Sequence, residues 1–285
     1  MKLRIFSGLM YAILLLVTAT LGGWSWWILV MLLAFLGLLE AQSIEIAAGR
    51  SPSRPIGWLL APALVLTALP ATATGLPEDA GPAMIALATI AAFAAQIARS
   101  PEGRSTPDWM ASLIYPIYLG TLLGFLPRLR ALGADAQASG SPVGLAWTIL
   151  LLALIWVNDS GAYLGGHRFG KNPFFATISP RKTREGALTG GLLCILVGAL
   201  APAAGAMWPV LAPLRAHSPL ALGLVGLVIA LVAPAGDLAE SVLKRQAGVK
   251  DSGRLIPGHG GILDRIDSLL FAAPVIYFLA RWLGG

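Results

Sequence analysis

Near the C-terminal end of the chain stands Asp264-Arg265-Ile266-Asp267, two carboxylates three residues apart. On a helix, positions i and i+3 share a face, so both acids would point the same way. Upstream, Pro234-Ala235-Gly236 leads into Asp237, Glu240, Ser241, Lys244 and Arg245. Asp237, Ser241 and Lys244 fall at i, i+4 and i+7, a single row on a helix. Carboxylate, hydroxyl and ammonium in such a row suit a phosphate and the hard cation that travels with it. Mg2+ commonly takes one or two carboxylates plus phosphate oxygens. A plainer reading competes, in which Glu240 and Lys244 make an i, i+4 pair on a solvated helix while Asp264 and Asp267 pair with Arg254 and Arg265. Carboxylates at the mouth of an apolar run are costly unless paired or metal-bound, and this weighs toward the cation.

Between these acids lies Lys250-Asp251-Ser252-Gly253-Arg254, then Pro257-Gly258-His259-Gly260-Gly261. Its glycines let backbone approach a ligand closely. Gly260 and Gly261, just ahead of an apolar run, are expected at a helix N-terminus, where free N–H groups favour an anion. A second charged stretch runs from Asn158-Asp159 through Tyr163 to Ser179-Pro180-Arg181-Lys182-Thr183-Arg184-Glu185-Gly186. Three cations and two hydroxyls at a helix entrance suit an anion cradle, although a simple cationic anchor would need the same charge. Phe174-Phe175, inside this stretch, suits a membrane interface. His167, His217 and His259 have no zinc spacing, and His259 is the candidate among them by its neighbours. Cys194, the single cysteine, sits in an apolar run and is read as packing.

The elements that must carry these residues follow from composition. The chain has 285 residues, 56% hydrophobic and 12% charged. Soluble domains carry roughly 25% charge, and this chain could not cover a soluble surface. Disorder and a disulfide scaffold are excluded as well. Half of the charged residues fall in the two stretches just described. A net charge of +6 is read as membrane topology, with no nucleic acid as partner. Apolar runs near Ile5–Leu21, Trp24–Leu39, Ile56–Leu76, Ala80–Ala98, Trp109–Leu126, Val143–Val157, Ala187–Ala206, Pro219–Ala235 and Ile266–Leu283 predict about nine transmembrane helices. With the N-terminus in the cytoplasm, only Arg128, Arg130, Arg215 and Arg281 among the Lys and Arg residues lie outside. Lys2 and Arg4 ahead of an apolar run also fit a signal peptide, but the run passes directly into a second one without a small-residue cleavage site. Trp24, Trp26, Trp27, Trp58, Trp109, Trp208 and Trp282 lie near span ends and predict an interfacial belt. The expected fold class is an all-α polytopic integral membrane protein. It forms a single membrane domain over 1–285, with 1–142 free of signature and 143–285 carrying the catalytic spans and loops.

Ser241-x-Leu243-Lys244-Arg245, Lys250-Asp251-x-Gly253, and Leu255-Ile256-Pro257-Gly258-His259-Gly260-Gly261-x-Leu263-Asp264-Arg265-x-Asp267 together resemble the signature of the CDP-diacylglycerol synthase (phosphatidate cytidylyltransferase) family. Asp159-Ser160-x-Ala162-Tyr163 and Ser179-Pro180-Arg181-Lys182-Thr183-x-Glu185-Gly186 are similar to that family's other blocks. The family usually places an aromatic residue between the Thr and the Glu, where this chain has Arg184. The resemblance implies a transferase of phospholipid biosynthesis, with CTP and phosphatidic acid giving CDP-diacylglycerol and pyrophosphate by in-line attack at the α-phosphorus. It implies Mg2+, with K+ as a candidate second cation, held by Asp237, Asp264 and Asp267. Lys182, Lys244 and Lys250 join Asp237 and Asp264 as the expected catalytic groups. Substrate binding is expected at Asp159, Tyr163, Ser179, Arg181, Thr183, Ser241, Arg245, Asp251, Gly258, His259, Gly260, Gly261 and Arg265. The bilayer is the other partner, the oligomeric state stays open between monomer and homodimer, and the expected location is a bacterial cytoplasmic (inner) membrane with the site facing the cytoplasm.

Other classes fit less well. A CTP-dependent lipid-alcohol kinase would release CDP rather than pyrophosphate. A CDP-alcohol phosphotransferase would carry an Asp-Gly-x-x-Ala-Arg pattern with later paired Asp residues, which is absent. A transporter would usually carry ionisable groups at mid-membrane and repeated halves, and no repeat is visible.

Overall fold

The computed structural model describes residues 2–69, 74–99, 105–133, 141–175, 177–253 and 260–284, with side chains from residue 6 onward. The helices are α1 (Lys2–Leu21), α2 (Gly23–Ala47), α3 (Arg54–Leu66), α4 (Ala80–Ile97), α5 (Thr106–Leu123), α6 (Phe125–Arg130), α7 (Pro142–Phe169), α8 (Arg184–Met207), α9 (Pro219–Gln246) and α10 (Leu263–Trp282). Every expected apolar run carries a helix, and the chain is a polytopic, almost wholly helical membrane protein. Six helical segments among the described residues are long and apolar enough to cross a bilayer: Gly23–Ala47, Ala80–Ile97, Thr106–Arg130, Pro142–Phe169, Arg184–Met207 and Pro219–Gln246. The other three expected runs carry helices outside this set. At 13 residues, α3 reaches only about 20 Å. The helix α1 runs 20 residues, Lys2–Leu21, and α10 opens with Asp264, Arg265 and Asp267.

Two compact units share the chain. One comprises Met1–Arg128 and Leu243–Ile266; the other comprises chiefly Ser139–Val242 and Asp267–Gly285. In the first, Leu60 and Leu64 of α3 meet Ala92 of α4 and Leu113 of α5. Gly120 of α5 lies so close to α3 that a Cβ there would press on the Ala61 carbonyl oxygen at 2.6 Å. The turn after α2 is held by acids: Glu45 accepts from Tyr115 Oη at 2.5 Å and pairs with Arg50, and Asp108 accepts from Ser51 N–H at 2.8 Å and from Arg99. Trp26 and Trp27 are buried inside this unit, so they leave the expected interfacial belt, whereas Trp24 is half exposed. Their place on α2 facing protein rather than lipid explains the difference.

The second unit is built on small residues, as helix association in lipid requires close backbones. Gly161 and Gly165 of α7 face Gly190 and Thr189 of α8, and Gly198 of α8 faces Leu222 of α9. Cys194 is fully buried there, its thiol against the Leu154 carbonyl at 3.2 Å. A Cβ on Gly190 would sit 2.7 Å from both the backbone and the side-chain oxygen of Asn158. Gly190→Ala should therefore destabilise this unit by about 1–3 kcal/mol, the usual cost of overpacking. A lowered midpoint for thermal unfolding in detergent would register it, and an unchanged midpoint would contradict the packing.

One local element departs from all-helical expectation. The cationic turn before α8 is a two-stranded antiparallel hairpin, β1 (Pro173–Phe175) with β2 (Ser179–Thr183), pairing Pro173 with Thr183 and Phe175 with Ser179. Alternation of Ser179, Arg181 and Thr183 with Pro180 and Lys182 suits a strand, whose side chains alternate between faces.

Candidate active site

Each unit holds a cluster of charged groups built from the signature residues. In the second unit, α9 carries Asp237 and Glu240 and the start of α10 carries Asp267. Single oxygens from these three carboxylates lie within 4.8 Å of one another. Gly236 makes this possible, because a Cβ there would run into the Asp267 carbonyl oxygen. Glu240 is 2% exposed and Asp267 9%. Three hard oxygen donors at this spacing fit a small divalent cation. Around them, Ser241 Oγ donates to Asp237 Oδ1 at 3.3 Å, and Lys182 of β2 pairs with Asp237 Oδ2 at 2.7 Å. The Lys182 and Asp237 side chains are partly exposed, although the ammonium itself is buried against the carboxylate.

In the first unit, Asp264 occupies the first turn of α10, ahead of the apolar run. Its Oδ1 accepts from Lys244 Nζ at 2.5 Å. Its Oδ2 accepts from Gly261 N–H at 2.8 Å, Ser252 Oγ at 2.9 Å and Ser252 N–H at 3.2 Å. Burial by itself would raise this carboxyl, but the Lys244 ammonium, the Gly261 N–H and the Ser252 hydroxyl outweigh it and hold the group below the usual carboxylate value. Lys244 is itself 8% exposed, an ammonium taken out of water and paired with Asp264.

The expected residues thus divide. Asp237 and Asp267 come together with Glu240, which the sequence left as a partner for Lys244. Asp264, expected in the cation set, instead meets Lys244, Ser252 and Gly261. Thr183 caps α8, its hydroxyl accepting from Gly186 N–H at 3.2 Å. Glu185 closes the approach to the hairpin, accepting from Asn172 Nδ2 at 2.6 Å and from the Lys171 and Asn172 N–H groups. Arg184, at the position usual for an aromatic, is exposed at the first residue of α8. Asp159 and Tyr163 are exposed on α7, which continues well past the expected end of its span at Val157, and Tyr163 stacks near His167 at 6.3 Å between ring centroids. Lys250, Asp251, Arg245 and Arg181 are exposed, Ser179 and Arg265 are half-buried, and Gly260 adopts φ +85° beside Asp264. Gly258 and His259 lie outside the described residues.

One residue was not anticipated at all. Glu40 of α2 accepts from the N–H groups of Ile262 and Leu263 at 3.0 and 2.8 Å and from Ser252 Oγ at 2.9 Å. The only signal in the sequence is an acid at the end of an apolar run.

Comparison with known proteins finds relatives over the whole chain. A phosphatidate cytidylyltransferase of Synechocystis is 36% identical over 96% of this chain and 94% of its own length. One of Staphylococcus saprophyticus is 30% identical over 98% of both chains. A third, from Helicobacter pylori, is 46% identical over 49% of this chain and 50% of its own. The sequence profile of the cytidylyltransferase family matches residues 2–283, and the chain belongs to that family.

Proposed function

We propose that this protein is a phosphatidate cytidylyltransferase: it joins CTP to phosphatidic acid and releases CDP-diacylglycerol and pyrophosphate. The observation that carries the reading is the grouping of Asp237, Glu240 and Asp267 at the ends of two apolar helices, with Lys182 paired to the first. Full-length kinship to phosphatidate cytidylyltransferases supports the substrate pair.

The three carboxylates hold Mg2+ in this reading, and K+ is a candidate second cation. The ion, when bound, neutralises phosphate charge and orients the reacting oxygens. The phosphatidate oxygen attacks the α-phosphorus of CTP in line, the bond to the β-phosphate bridging oxygen breaks, and pyrophosphate leaves with that oxygen. Charge neutralisation and alignment are what the chain must supply. Lys182 exchanges Asp237 for an incoming phosphate. Asp264 holds Lys244 in place for the same purpose, and Arg245, Lys250 and Arg265 add positive charge for the triphosphate. Ser179, Arg181, Thr183, Asp159 and Tyr163 line the lipid or nucleotide approach, and Ser241 orients Asp237. Gly260 and Gly261 let backbone approach the nucleotide, with Gly258 and His259 assigned to nucleotide binding by the family resemblance alone. Nine spans with a cytoplasmic N-terminus put both charged stretches on the cytoplasmic face of a bacterial inner membrane, where CTP is.

The test is product analysis with purified protein, CTP, phosphatidate and Mg2+. Stoichiometric pyrophosphate and CDP-diacylglycerol are expected. Release of CDP with a phosphorylated lipid would instead indicate a lipid-alcohol kinase. Lys182→Ala should lower turnover about tenfold or more, the scale of a lost charged contact of 1.5–3 kcal/mol. Unaltered kinetics would remove Lys182 from the phosphate contacts.

A further inference from the structure

Glu40 has no part in the chemistry outlined above, yet it is an acid within a helix of membrane-spanning length. Such acids are rare and call for partners. It is 9% exposed, and among the described residues it accepts hydrogen bonds from Ser252, Ile262 and Leu263. Oε1 takes the Ile262 N–H, while Oε2 takes the Leu263 N–H and the Ser252 hydroxyl. The two N–H groups belong to the beginning of α10, where backbone donors lack helical partners and a negative charge is favoured. The carboxylate therefore caps α10 from a helix more than 200 residues away in sequence.

The fit is tight. A Cβ on Gly253 or on Gly261 would overlap the Glu40 carboxyl group, so glycine at both positions is what lets the acid in. Gly253 and Gly261 bracket the signature loop, and both are in reach of one side chain. Ser252 Oγ lies 2.9 Å from Glu40 Oε2 and 2.9 Å from Asp264 Oδ2, so its single proton is held between two carboxylates. Beyond Asp264 stands Lys244. The series Glu40, Ser252, Asp264, Lys244 is continuous, and it lies wholly within one compact unit.

We infer that Glu40 is a positioning residue for the transfer reaction: it clasps both ends of the signature loop and, through Ser252, sets the orientation of Asp264 and its partner Lys244. The inference rests on the cytidylyltransferase reading for its activity consequence. Its structural half stands apart from that reading.

Glu40→Gln keeps the shape but replaces one acceptor by a donor. In the full-length protein in detergent micelles, hydrogen exchange is expected to accelerate at Ser252–Gly253 and Gly261–Leu263 and to stay unchanged in α7 and α8. Turnover per folded molecule should fall at least tenfold, with the KM for CTP moved less than threefold. Glu40→Asp, which keeps the charge, should recover part of the loss. Glu45→Gln is the control, since that acid lies on the same helix but engages Arg50 and Tyr115. An equal loss of turnover per folded molecule in Glu45→Gln would overturn the assignment. So would loop exchange and turnover both within twofold of the parent in Glu40→Gln. If Glu40→Gln fails to fold, Ser252→Ala removes only the shared hydroxyl, and a turnover within twofold of the parent would overturn the proposal. Should the parent protein itself release no pyrophosphate, the functional reading fails, and the exchange pattern still decides the clasp.

Discussion

Asp264→Asn is expected to cut pyrophosphate release by ~100-fold or more while the protein stays folded in the membrane. All four contacts to the Asp264 carboxylate come from donors: the Lys244 ammonium, the Ser252 hydroxyl and N–H, and the Gly261 N–H. An asparagine offers one oxygen and turns an NH2 group toward the remaining donors. Lys244 then loses the Asp264 charge while nearly out of water, and breaking a buried ion pair typically costs about 3–5 kcal/mol. It would turn toward solvent or other acids, and the ammonium proposed for the triphosphate would be displaced. A loss of about 2.7 kcal/mol in transition-state stabilisation already corresponds to ~100-fold. The protein should remain folded because α10 keeps its other cap, Glu40 on Ile262 and Leu263. Turnover at the parent rate would exclude Asp264 from any part in the reaction.

The second large effect concerns the carboxylate trio. Chelation should abolish turnover, and Mg2+ should restore it. In Asp267→Asn the Mg2+ concentration for half-maximal turnover should rise by ~100-fold, at least as much as losing an outer partner of a metal ligand typically costs. Asp267 is the sharper choice over Asp237, because Asp237 also holds Lys182 and its removal would alter two things at once. Glu240→Gln should follow the same pattern, given that its oxygen stands with the other two. A half-saturating concentration unchanged in both variants would remove the cation from these acids.

How much of this was open to sequence reading depends on the range of the interaction. Apolar run length marks a helix wherever it occurs, and each of the nine runs carries one. Span ends were less legible: α7 continues to Phe169 because Asn158 to Gly166 keeps helical packing against α8 through Gly161 and Gly165, although its hydropathy falls. Asp237, Asp264 and Asp267 stood out because charge is scarce in this chain. Their grouping did not. Spacing along one helix puts Asp264 and Asp267 on one face, yet Asp264 is drawn to Ser252, Gly261 and Lys244. Glu240 lay hidden behind a plausible pair with Lys244, four residues on. Glu40 was beyond reach, since its partners are backbone N–H groups and a serine, and nothing in the identity of Ile262 or Leu263 announces that their amides need an acid. The hairpin was missed because Ser-Pro-Arg-Lys-Thr has too few apolar residues for a strand signal.

The contact between Glu40 and the start of α10 also has a consequence for the order of synthesis. The two partners lie 223 positions apart. At about 5–20 residues per second, a ribosome needs roughly 10–45 s to travel that distance. Through that interval α2 is already made, and its acid has none of the three donors that later surround it. The nascent chain must wait with this end of α2 open, and a chain stopped short of Ser252 never acquires the donors. Such fragments would carry a built-in mark of incompleteness at the membrane, available to whatever surveys unfinished proteins there.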